Sequence, residues 1–186
     1  WSSDVCSSDL AAIETNDIAG LTTAQVASLT TEQFSAMTTG QLGALTTTQF
    51  AAVTSGQLGS FPNTNVTALT TGQMAILTTD QLRGLTTDQL TAIETRDLNA
   101  MTSDVIRALS TEQVAALSTT QVQALSTSDI ARLSTTQLTA MRGDQIAALT
   151  TDQVQKLTTD QVSSLTYDQV AALTTTQISK METADM

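Results

Sequence analysis

The fold predicted is an all-α solenoid of very short capped helices, one for each eight-residue repeat. Three observations carry that expectation. An apolar residue recurs every eighth position from Ile13 to Met181 without a slip, giving about 22 octads in tandem. Most octads then spell out the signals that start a helix. The apolar spacing fits neither one long helix nor a simple strand.

The unit is plainest at Leu149–Met181, which runs LTTDQVQK, LTTDQVSS, LTYDQVAA and LTTTQISK before Met181. Slot by slot it reads apolar, Thr or Ser, Thr, variable, Gln, apolar, small, small. In a continuous helix at about 100° per residue, the apolar stripe would rotate by roughly 80° per octad, so no face would stay apolar. The recurring Thr pairs weaken a long helix further. A coiled coil needs a seven-residue repeat, which this chain lacks.

Short helices fit instead. The slot-two hydroxyl, for example Thr150, is an N-cap, and Gln153 three residues later completes a capping box that satisfies two backbone N–H groups. Asp or Glu in slot four (Asp80, Asp88, Asp104, Glu112, Asp144, Asp152, Asp160, Asp168) falls in the first turn, where the helix dipole favours negative charge. Slot one precedes the cap and slot six follows it by four, so Leu149 and Val154 form a hydrophobic staple. Pro62 occupies a cap slot, where its missing N–H costs little. Glu and Asp replace Thr and Gln together at Glu14 with Asp17, Glu94 with Asp97 and Glu182 with Asp185, as expected if both side chains serve one turn. Val105 and Arg142-Gly143 interrupt the box, and those octads are expected to be weaker or bent.

A β-solenoid is the competing fold. Thr and Val suit strands, and Gln or Thr ladders would stack naturally. Its difficulty is that the two apolar slots have opposite parity, so one would face outward. Paired Ala in slots seven and eight also favours helix. A mostly disordered chain is the third possibility, and the regular apolar slot argues against it.

Helices this short are unstable alone and must bury their apolar slots against neighbouring turns. Arg83, Arg107, Arg132, Lys156 and Lys180 recur at about 24-residue spacing, which points to three octads per superhelical turn and a basic edge. Gly40, Gly56 and Gly72 recur at 16, as do Phe34 and Phe50. The sharp corners implied by a cap close behind each helix favour three.

Residues 1–10 (WSSDVCSSDL) resemble a sequencing adapter translated in frame and are treated as a non-native scar. They contain the one Cys and the one Trp of the chain. Residues 11–186 then form a single octapeptide-repeat solenoid, expected to be a fragment of a longer array.

The net charge of −11, with Lys+Arg 7 against Asp+Glu 18, offers no footprint for nucleic acid or an anionic membrane. No apolar run is long enough to insert in a membrane. His is absent, so the usual bases and nucleophiles are missing outside the scar, and no catalytic residue, cofactor site or metal site is assigned. The stacked Asp residues of slot four give too few oxygens for calcium unless turns converge. A Thr lattice for ice or surface binding is a distant alternative.

The LTTDQV octads at Leu149–Met181 resemble tandem tracts of long repetitive proteobacterial proteins described as adhesin-like, surface or secreted. The resemblance covers residues 11–186 and implies an extracellular or cell-surface bacterial setting, with no catalytic residues to carry over. The expected function is a non-enzymatic structural module, a rigid spacer or scaffold. The alternative is an interaction module that binds a protein or glycan through its surface, above all through the edge formed by Arg83, Arg107, Arg132, Lys156 and Lys180. End-to-end self-association is expected of a fragment without capping repeats.

Overall fold

The computed structural model describes residues 12–181, so the adapter-like segment and the Glu182/Asp185 pair lie outside the described residues. The described residues form 21 helices of four to six residues, from Thr15–Ile18 to Thr175–Lys180, one per octad and with no strand among them. The all-α solenoid is therefore the fold, and the β-solenoid is excluded.

Local chemistry produces each helix as the octad implies. Thr150 has extended backbone and its hydroxyl accepts from Gln153 N at 3.2 Å, while Thr150 N donates to Gln153 Oε1 at 2.8 Å. The same reciprocal box recurs from Thr22–Gln25 to Thr174–Gln177. Each helix then ends quickly. In the octad that follows Ile146, Leu149 N donates to Ile146 O at 3.2 Å, and slots one and two are both extended. Those two extended residues turn the corner. No described residue has positive φ, so the left-handed glycine that ends many helices is not needed here.

The chain divides into two compact units, Trp1–Met101 and Thr102–Met186, built on one plan. In the first, each helix packs on the third helix along, as Thr15–Ile18 does on Thr39–Ala44 and Ser55–Gly59 on Thr79–Gly84. In the second, Ser103–Arg107 packs on Thr127–Arg132, that helix on Thr151–Gln155, and that one on Thr175–Lys180. Three octads per turn is thus the stacking period, not the two suggested by Gly40, Gly56 and Gly72.

Slots one and six line the core. Leu149 and Val154 are both buried, as are their counterparts from Phe34 and Met37 to Ile146. Phe34 and Phe61 stack with ring centroids 4.9 Å apart. Slots seven and eight are small because stacked helices meet there. A Cβ at Gly59 would stand 2.6 Å from Gly84 O, and one at Gly84 would fall on the Ser55 carbonyl.

The Glu/Asp pairs do not rebuild the capping box, although at Glu94 and Asp97 both carboxylates meet Arg96 of the same turn, at 3.7 and 3.2 Å. Glu14 and Glu94 make no side-chain cap, and their helices shrink to the four residues Thr15–Ile18 and Thr95–Leu98. Asp97 instead turns away: its Oδ1 accepts from Thr71 Oγ1 at 2.6 Å, and both its oxygens accept from Arg96. Pro62 starts Asn63–Val66, another four-residue helix, as its slot foretold.

Where the box is interrupted elsewhere, the helices persist. Thr102 Oγ1 still accepts from Val105 N at 3.4 Å. Arg142 has no oxygen with which to cap, but its N–H donates to Gln145 Oε1 at 2.7 Å, and Gly143–Ala148 keeps six residues.

Contrasting glycine substitutions test this packing. Gly84→Ala should destabilise the protein by about 1–3 kcal/mol, because its methyl overpacks against backbone. Gly56→Ala, which meets nothing within 4 Å, should instead stabilise by about 0.5–1 kcal/mol through helix propensity. Urea denaturation of both variants measures the difference.

Candidate functional site

The polar chemistry that recurs in this molecule lies between turns. The slot-one carbonyl sits in the corner, where no backbone N–H is placed to meet it. Gln reaches it from one turn later in the chain. Gln153 Nε2 donates to Leu125 O at 2.7 Å and to Val122 O at 2.9 Å. Gln49, Gln57, Gln73, Gln81, Gln89, Gln145, Gln161, Gln169 and Gln177 repeat the pair of contacts, to residues 28 positions earlier and 31 positions earlier. One buried side chain thus accepts at Oε1 to start its own helix and donates at Nε2 to close the corner beneath it.

The capping box alone does not reveal this second task. A box accepts Glu as readily as Gln, but only the amide carries a donor, and the choice of Gln in octad after octad is the signal that could have exposed it. The variants are informative. Asn65, one methylene shorter, still reaches Met37 O at 3.2 Å, and beside it Pro62 has no N–H for it to accept. Asp129 keeps the box, with Oδ2 accepting from Ser126 N at 3.1 Å, but its buried Oδ1 has no hydrogen-bond partner.

The predicted basic edge is partly assembled. In the second unit Arg107, Arg132, Lys156 and Lys180 stand at the C-terminal ends of four helices stacked in order, all exposed. Two of the five predicted residues are engaged in ion pairs. Arg132 lies 3.7 Å from Asp104 on the preceding turn, and Arg83, in the first unit, lies 3.6 Å from Asp80 of its own helix. These exposed pairs contribute little to stability.

Arg142, outside that edge, is more heavily used. Its Nε and Nη2 hold both oxygens of Asp144 at 3.0 and 3.1 Å, and its Nη1 donates to Ala115 O one turn earlier. The hydrogen bond from Arg142, and then its charge, hold the Asp144 carboxyl below its ordinary range. Glu112 is likewise lowered, first by its own backbone N–H and then by the Ser110 and Thr111 hydroxyls at the helix start. The Arg96 guanidinium is raised, chiefly by its hydrogen bond to Asp97.

Among the described residues no group of three or more His, Cys, Asp or Glu stands close enough to hold a metal ion, and no helix is long and apolar enough to cross a membrane. In the described octads whose slot two is Thr or Ser, the hydroxyl accepts from a backbone N–H at the helix start, as Thr150 does from Gln153.

One turn of the octad, read from slot eight to slot five, is Ala148-Leu149-Thr150-Thr151-Asp152-Gln153. A family model of the ALTTAQ repeat matches residues 10–47, 90–127 and 124–159, more than half of the chain. The chain belongs to the ALTTAQ repeat family. No curated protein matches it. In this ALTTAQ repeat protein the family's six letters cover the corner, the cap and the bridging Gln, the parts that build one turn on another.

Three outcomes follow from these contacts. Gln153→Glu retains an oxygen for the box but removes the donor, and should cost about 2 kcal/mol or more by leaving the Leu125 carbonyl unmet. Asp129→Gln removes the unpaired buried oxygen and should stabilise by about 1–3 kcal/mol. Thermal melts of each variant decide both. Acid supplies the third. Asp144 and Glu112 are depressed from ordinary values of 3.8 and 4.5, so their stabilisation is present above that range and lost as pH falls through the lower folded values. The melting temperature should drop over that interval, and less steeply in Asp144→Asn.

Proposed function

We propose that this chain is a non-enzymatic spacer or scaffold in a bacterial surface or secreted protein. The observation that carries the proposal is that the octad's distinctive side chains are consumed in construction. Thr or Ser caps, Gln caps and bridges, and the apolar slots fill the core. What remains exposed varies from octad to octad, as expected of a surface without a fixed ligand. The surface or secreted setting is supported by the resemblance of the LTTDQV tracts to adhesin-like proteins.

A second reading is an interaction module that binds a protein or glycan along the basic edge. The stacking of Arg107, Arg132, Lys156 and Lys180 on successive turns favours it. The ion pairs of Arg83 and Arg132 and the acidic balance of the chain weigh against it.

Distance measurements separate the two. With fluorophores at residues 103 and 180, near the two ends of the second unit, in-frame deletion of residues 125–148 should shorten the separation by about 10 Å, one helix spacing. Reversing Arg107, Arg132, Lys156 and Lys180 to Glu should leave both the separation and the function of the parent protein unchanged. Loss of that function on charge reversal, with an unchanged melt, would favour the interaction module.

A further inference from the structure

Two adjacent octads, 93–100 and 101–108, lack both the reciprocal capping box and the bridging amide. In the first, Glu94 makes no side-chain cap and the helix shortens to Thr95–Leu98. In the second, Thr102 Oγ1 accepts from Val105 N at 3.4 Å, but the Val105 side chain has no oxygen to accept from Thr102 N, so the box is one-sided. The division of the chain falls between these octads, since the first compact unit ends at Met101 and the second begins at Thr102.

The amides of slot five fail in the same region. From residue 25 to residue 89 every octad has Gln or Asn there, and from 137 to 177 every octad has Gln. Between those runs stand Asp97, Val105 and Asp129, none of which carries an amide. Gln81 and Gln89 hold the corner carbonyls of Val53 and Phe61 at 2.8 Å. Asp97 is as deeply buried as they are, but its oxygens accept from Thr71 and Arg96. Among the described residues no side-chain amide reaches the carbonyl of buried Leu69, 28 positions before Asp97. The Val105 side chain can donate to nothing, and Asp129 leaves Oδ1 unpaired.

The stability of stacked repeats is a sum over each repeat and its junctions with its neighbours, so cooperativity fails first where both contributions are small. We propose that residues 93–108 are a built-in break in cooperativity, at which the two units unfold as separate steps. Heat or load can then remove one unit while the other stays folded, as for the partial unfolding of any weakly coupled segment. A tract with Gln in every slot five would melt as one. The device is set by the residues at 97, 105 and 129, and it holds whether or not the module serves as a spacer.

Scanning calorimetry and hydrogen exchange on the full 186-residue chain test the proposal. The expected thermogram holds two transitions, with a calorimetric enthalpy about twice the van't Hoff value instead of equal to it. Gln57→Glu removes a bridging donor inside the first unit and should lower one transition while the other stays in place. Gln153→Glu should lower the other alone. Combining Asp97→Gln, Val105→Gln and Asp129→Gln supplies the repeat's own residue at each gap and should merge the transitions, bringing the two enthalpies into agreement. Four results would overturn the proposal: a single two-state melt of the unaltered chain, a Gln→Glu change that lowers both transitions alike, exchange that fades inward from the ends without a step near Met101, or two transitions surviving in the triple variant.

Discussion

A corner carbonyl has to be met from another turn of the chain, and much of this structure follows from that constraint. Each octad ends its helix after one or two turns and passes through two extended residues, which leaves the slot-one carbonyl without a local donor. A buried carbonyl in that state is costly. Gln in slot five resolves it because its amide has two functional ends. The oxygen completes the capping box, and the nitrogen spans to the corner one turn earlier. Glu could do the first task but not the second, and Asn, as at Asn65, does so only with a shorter reach. Local capping and long-range stacking are therefore coupled through one side chain.

That coupling explains how so thin a core holds. Helices of four to six residues have no independent stability, and aromatic residues are scarce. What the core lacks in bulk it gains in regularity, with two apolar slots per octad and a buried, satisfied polar ladder beside them. Small residues in slots seven and eight let stacked helices approach, most closely where Gly59 and Gly84 meet. The extended corners do without positive φ, so glycine is free to serve packing instead of turn geometry. Such a chain is quasi-one-dimensional, each turn depending on its neighbours.

The same division of labour shapes the functional picture. An octad whose Thr, Gln and apolar slots are all structural leaves only slot four and the ends of helices to vary. The acidic residues of slot four sit at helix starts, where the dipole accounts for them. The basic residues end helices, and some are tied to nearby carboxylates. Arg142 shows how such a residue enters the framework, holding Asp144 and reaching the Ala115 carbonyl from a slot in which it cannot cap.

The sequence by itself determined the helices. The Thr–Gln box, the acidic first turn, the staple of Leu149 and Val154 and the cap position of Pro62 all act within a few residues, so their spacing in the chain is their spacing in space. The 24-residue recurrence of Arg107, Arg132, Lys156 and Lys180 also pointed to the stacking period, although the glycine spacing of 16 spoke against it. Only the tertiary structure decided where the Gln amide donates, because its partners lie 28 and 31 residues away and no local pattern names them. It also decided that Asp97 pairs with Arg96 and reaches Thr71 one turn earlier instead of closing a capping box, and that Asp129 keeps the box yet leaves an oxygen unpaired. Capping is a local exchange between adjacent slots; the corner carbonyl belongs to a different turn, and folding alone brings the two together.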